Sequence, residues 1–135
     1  MPVKEVLQKG AEVLTTKCKP VVDFSAAQAV VDDLGDTIDY LKTTYGFDRG
    51  IGLAAPQIGQ SLRITVAENP QRERFIFINP EIVEHSGTKI PTREGCISFF
   101  QYRGNVPRYD SVKIKAFDRT GKEYVLDADG DFAML

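Results

Sequence analysis

Residues 25–45 read SAAQAVVDDLGDTIDYLKTTY, and the spacing of their apolar members sets the fold class. Ala27, Val30, Val31, Leu34, Ile38, Leu41 and Tyr45 recur at three- and four-residue steps, which gathers them on one face of a helix. Ser25 followed by Gln28 fits a capping box, and Gly46 can close the helix in a left-handed conformation. Gly35 inside the helix weakens it, so the packed face has to compensate. Beyond residue 60 the pattern changes to short β-branched and aromatic runs at 63–67, 75–79, 111–117 and 123–126, which predict strands. Residues 118–121 join the last two as a hairpin loop, with Gly121 free to take positive φ. One long helix followed by mostly antiparallel strands predicts an α+β fold rather than alternating α/β.

The bulk properties narrow the field. A chain of 135 residues fits one domain, here 1–135, with room for a sizeable core. Hydrophobic residues make up 42% and charged ones 27%, and no apolar run approaches the roughly 18 residues of a spanning helix. The opening residues MPVKEVLQKG lack the apolar stretch of a secretory signal, and two cysteines are too few for a disulfide framework, which together favour a reducing cytoplasm. A net charge of −2 offers no electrostatic footprint for nucleic acid or an anionic membrane. The final residues, Asp131, Phe132, Ala133, Met134 and Leu135, are mostly apolar, and Asp129 or Asp131 could cap a helix beginning there. The expectation is a domain cut short at its C-terminus.

Two stretches carry chemistry. In GIGLAAPQIG, residues 50–59, the glycines and alanines leave the backbone bare enough for another chain to lie against it, as when a peptide adds a strand to a sheet edge. Gln57 then offers a side-chain amide that can donate to a carbonyl oxygen gaining negative charge. The competing reading is a tight turn between helix and strand with a solvated glutamine. In Glu94-Gly95-Cys96-Ile97-Ser98 the glycine clears space beside the sulfur, Ile97 supplies an adjacent backbone N–H, and Glu94 brings a charge. A buried cysteine is more often an inert small hydrophobe, and Cys18, without such neighbours, is read that way. His85, the only histidine, reads as an exposed loop residue. A Cys96–His85 nucleophile and base pair is the remotest option, since no third residue is evident to orient the imidazole. The two side chains also fall short of a zinc site unless carboxylates assist.

Taken together, Gly50-Ile51-Gly52-Leu53-Ala54-Ala55-Pro56-Gln57 and Glu94-Gly95-Cys96-Ile97-Ser98 resemble the first two signature motifs of peptide deformylases, in the same order and at a similar separation. The similarity extends to the preceding helix, to Asn79-Pro80, to Arg103 and Val106-Pro107-Arg108, and to the strand from Lys113 to Asp118. The resemblance implies a metal-dependent hydrolase that removes the formyl group from the N-terminal formylmethionine of nascent polypeptides. The metal would be natively Fe2+, replaceable by Ni2+, Co2+ or Zn2+. Carried over residue by residue, Cys96 would be a metal ligand. Gln57 and the N–H of Ile97 would hold the oxyanion, and Ile51, Gly52, Glu94, Gly95 and Arg103 would line the peptide groove. N-formylmethionyl peptides would be the substrate, with the ribosome a possible partner. The family's third motif, His-Glu-x-x-His on a C-terminal helix, supplies two more ligands and the general base. It occurs nowhere in these 135 residues. The expectation is therefore either a deformylase lacking that segment or an inactive, metal-free remnant that binds peptide N-termini. The chain taken literally would have little activity.

Overall fold

The computed structural model describes residues 3–46, 50–87, 89–94, 104–109 and 111–129. After a 3-10 turn at Glu12–Thr15, the described residues form α1 (Phe24–Tyr45) and then seven strands. These are β1 (Ile51–Ala54), β2 (Ile64–Glu68), β3 (Arg74–His85), β4 (Lys89–Glu94), β5 (Gly104–Tyr109), β6 (Ser111–Phe117) and β7 (Glu123–Asp129). A second 3-10 turn, Ala55–Ile58, follows β1 directly. Neighbouring strands are antiparallel, in a five-stranded sheet of order β1-β2-β3-β6-β7 and a separate hairpin of β4 with β5. The α+β expectation holds. No described helix is long and apolar enough to cross a membrane.

The helix forms where its periodicity places it, but its cap is different. Asp23, not Ser25, is the N-cap, and its carboxylate accepts the N–H of Ser25 at 3.0 Å and of Ala26 at 3.4 Å. A carboxylate suits this position because it also faces the positive end of the helix dipole. The Ser25 hydroxyl and these backbone N–H groups hold Asp23 below the usual carboxylate range. Gln28 is taken into a tertiary contact instead, donating to the Arg119 carbonyl at 2.6 Å and accepting from Arg119 Nε at 2.8 Å. Tyr45, expected on the packed face, is exposed at the helix end. Thr37 is fully buried, its hydroxyl satisfied by the Asp33 carbonyl at 2.7 Å and by the Lys4 N–H at 3.0 Å.

The main core lies between α1 and one face of the sheet. Leu34, Ile38, Leu53, Ile64, Val66 and Ile78 are its most enclosed apolar side chains. Strand β3 is longer than its sequence suggested because it serves two partners. Residues 74–78 pair with β2 and residues 78–85 with β6, with a register shift between Ile78 and Glu81. At that shift Asn79 takes a φ of 51°. Its amide brackets Val21, accepting the N–H at 2.7 Å and donating to the carbonyl at 2.9 Å. Gly121 takes positive φ in the β6–β7 turn, as the hairpin reading requires.

Candidate functional site

The bare stretch at residues 50–59 is neither a simple turn nor a loop. Its first half is β1, which pairs with β2 through Ile51↔Glu68, Gly52↔Ala67, Leu53↔Val66 and Ala54↔Thr65. Among the described residues, β1 is an edge strand, with β2 on one side and no strand on the other. An edge strand presents unpaired backbone N–H and C=O groups, the template on which an extended peptide can add. Ile51 and Leu53 point into the core under α1, so any contact they make with a ligand runs through backbone. Gly52 lies on the opposite face, beside Ala67.

Gly50 at the entry to β1 has two reasons to lack a side chain. Its φ of 97° is a conformation that L side chains resist, and a Cβ there would lie 2.5 Å from the Glu68 carbonyl oxygen. The backbones of residues 50 and 68 are thus in close contact.

Gln57 sits at the other end of β1. In the short 3-10 turn its Oε1 accepts the Ala54 N–H at 2.9 Å, and its own carbonyl accepts the Leu7 N–H at 2.8 Å. Alanine has no side chain with which to return the bond, so this is half a capping box. It fixes the amide plane against the end of the edge strand. With Oε1 committed, the group that can act as a donor is Nε2.

Behind β1 lies a charge cluster that sequence reasoning did not single out. Glu68, the register partner of Ile51, is almost completely buried. Its carboxylate pairs with Lys42 Nζ from the last turn of α1 and with Arg74 Nη2 at 3.0 Å from the start of β3. Arg74 Nη2 also reaches Asp39 on α1 at 2.6 Å. Burial pushes the Glu68 carboxyl up, but the hydrogen bonds and charges of Lys42 and Arg74 outweigh it and hold it below its ordinary range. The cluster also touches Gly35, where a Cβ would stand 3.3 Å from Arg74 Nη1, a tight contact that the arginine end would have to yield to. The available signal was Asp39 and Lys42 three residues apart on one helix face, with a carboxylate closing an otherwise apolar strand.

The second motif is only partly in view. Glu94 ends β4 in register with Gly104, the first residue of β5. Gly95, Cys96, Ile97 and Arg103 lie outside the described residues. His85 is not in a loop: it is the exposed last residue of β3, because β6 extends the pairing that far. Its Nδ1 lies 2.8 Å from the Ser86 carbonyl, and its ring stacks on Tyr109 of β5 at 3.8 Å, with Lys89 Nζ 5.0 Å from the centre of the same tyrosine ring. The imidazole therefore bridges the two sheets. Cys18 is a half-buried free thiol. Asp129 ends β7, and the residues after it are outside the description. Among the described residues, no three His, Cys, Asp or Glu side chains converge as a metal site would require, so these residues by themselves do not fit a resident ion.

An edge strand closed by an anchored amide is a place where an extended peptide could add, and comparison with known proteins identifies the family. The polypeptide deformylase family model matches residues 3–135. The chain is 42% identical over 127 residues to a peptide deformylase of Heliobacterium modesticaldum, covering 94% of this chain and 79% of that protein. It is also 42% identical over 135 residues to peptide deformylase 1 of Bacillus subtilis, covering 98% and 79%. Among solved structures, the peptide deformylase of Legionella pneumophila superposes with a TM-score of 0.85 at 33% identity, covering 98% of this chain and 76% of that one. That of Thermus thermophilus gives 0.87 at 32% identity, covering 98% and 75%. The chain belongs to the polypeptide deformylase family. Its members are metal-dependent hydrolases that remove the formyl group from the N-terminus of newly made polypeptides.

Proposed function

We propose that a formylmethionyl peptide adds to the free edge of β1 as a further strand and presents its formyl carbonyl to the Gln57 amide. The observation that carries this reading is the bond from the Ala54 N–H to Gln57 Oε1, which sets a donor at the end of an edge strand. As the formyl oxygen gains negative charge during hydrolysis, Gln57 Nε2 and the backbone N–H of Ile97 donate to it. A donor fixed in advance stabilises that charge without reorganising. The backbone of Ile51 and Gly52 forms one wall of the groove, and Glu94, Gly95 and Arg103 contribute to the other.

Cys96 supplies a thiolate ligand to one divalent ion, Fe2+ natively, with Ni2+, Co2+ or Zn2+ as substitutes. The remaining ligands expected from the family are absent from the 135 residues as a His-Glu-x-x-His motif. The domain is single, over 1–135. Its substrate class, formylated nascent polypeptides, supports a cytoplasmic location and makes the ribosome a candidate partner.

The test is formate release from formyl-Met-Ala-Ser by the purified protein supplied with Fe2+ or Ni2+, alongside metal analysis and peptide titration. Gln57→Leu should retain metal and lose on the order of a hundredfold in turnover, the usual cost of removing an oxyanion donor. Turnover that survives this change rejects the assignment. Cys96→Ala should empty the site of metal, and full occupancy in that variant would reject ligation by the sulfur. A protein that binds the peptide without metal and without releasing formate is the inactive remnant.

A further inference from the structure

We propose that Glu68 is a positioning residue for the peptide: a charge clamp of Glu68, Lys42, Arg74 and Asp39 sets the height of the β1 edge on which the formylated chain would lie. This rests on the reading of β1 as the substrate edge. Among the described residues the four-residue strand is paired on one side only, and it begins next to a glycine with a left-handed φ, so local interactions hold its first residues weakly. What locates them is the contact between the Gly50 backbone and the Glu68 carbonyl, together with the pairing of Ile51 with Glu68. The Glu68 side chain is in turn tied to two elements, α1 through Lys42 and β3 through Arg74, and Arg74 is tied back to α1 through Asp39. The chain of cause runs from a side chain fixed on two elements, to the backbone of residue 68, to the edge of β1. Gly35 lies beside the clamp, where a Cβ would stand a tight 3.3 Å from Arg74 Nη1.

The experiment measures two quantities: the Kd for formyl-Met-Ala-Ser by calorimetry, and amide exchange at residues 51–54 by mass spectrometry. Glu68→Gln keeps a hydrogen-bond acceptor in place and removes the charge, so the variant should fold. Its Kd should rise on the order of tenfold, which is the loss of about one strong contact, and exchange at 51–54 should quicken while β6 and β7 are unchanged. Arg119→Met is the control, since it breaks an ion pair with Asp32, about two turns of α1 before Asp39, and removes no member of the clamp. It should lower Tm while leaving Kd and β1 exchange as they were. Gly35→Ala adds helix propensity while crowding Arg74, so it should quicken β1 exchange without a loss of Tm. The proposal is overturned if Glu68→Gln leaves β1 exchange unchanged, or if Arg119→Met shifts Kd and β1 exchange as much. If wild-type protein does not bind the peptide, or binds it without protecting 51–54, the substrate-edge reading fails, and exchange in Glu68→Gln still decides whether the clamp exists.

Discussion

On one face of the five-stranded sheet, Leu53, Ile64, Val66 and Ile78 meet α1 and are shut off from solvent. On the other, Ala67, Phe77 and Ala116 form a smaller cluster with Phe75, Ile114, Tyr124 and Leu126 half-buried around it. The strands are the same, and alternation along each sends its residues to one face or the other. The difference is the cover. On the first face a single helix supplies a continuous apolar stripe. On the second, among the described residues, the strands pack largely on each other, through Phe75 stacked near Phe77 and Phe77 near Tyr124, each at 6.3 Å. The Tyr124 hydroxyl donates to the Ile76 carbonyl, and burial, with the Asp118 charge, pushes its pKa up to about 12. Further along this face Ile82 is 60% exposed. Among the described residues, the sheet thus has one face closed by a helix and another whose apolar side chains are only partly covered.

The largest effect expected from this contrast is in the closed core. Leu34→Ala removes a side chain that is 0% exposed and should cost about 3–4 kcal/mol, seen as a drop in the urea midpoint at unchanged slope. Acidification should act next, through the one carboxylate that the described residues bury at the closed face. The folded-state pKa of Glu68 lies below its ordinary value of 4.5, so its contribution is fully present above that value and is lost as pH falls through the lower, folded one. Unfolding followed from neutral pH down through the carboxylate range should show a steeper loss in the wild type than in Glu68→Gln; identical acid profiles would remove Glu68 from the account. The smallest effect belongs to the open face. Leu126→Ala should cost about 1–1.5 kcal/mol, in proportion to the partial area it covers. A loss equal to that of Leu34→Ala would show that the second face is as tightly closed as the first.

Much of this was legible in the sequence because it depends on neighbours along the chain. The three- and four-residue steps of α1, the β6 run at 111–117 and the turn before β7 are local patterns, and each formed where it was expected. The two peptide deformylase motifs were legible for the same reason, since their residues are contiguous. What failed was what depends on distant partners. Asp23 rather than Ser25 caps the helix, because Gln28, which would have completed Ser25's box, is engaged by Arg119 from the β6–β7 turn. His85 belongs to a strand because β6 pairs with it. Residues 51–54, with two glycine-flanked apolar positions and little β propensity, become β1 only by pairing with β2.

The order of residues was enough for the class of fold, the packed face of the helix and the family, since periodicity and contiguous motifs are written in consecutive positions. Folding in three dimensions added that residues 51–54 are, among the described residues, the edge of a sheet, that Gln57 is locked against its end, and that Glu68 is clamped beneath it by Lys42 and Arg74. The physical reason is that an unpaired edge and a buried ion cluster are both defined by which residues, far apart in the chain, come to occupy adjacent space.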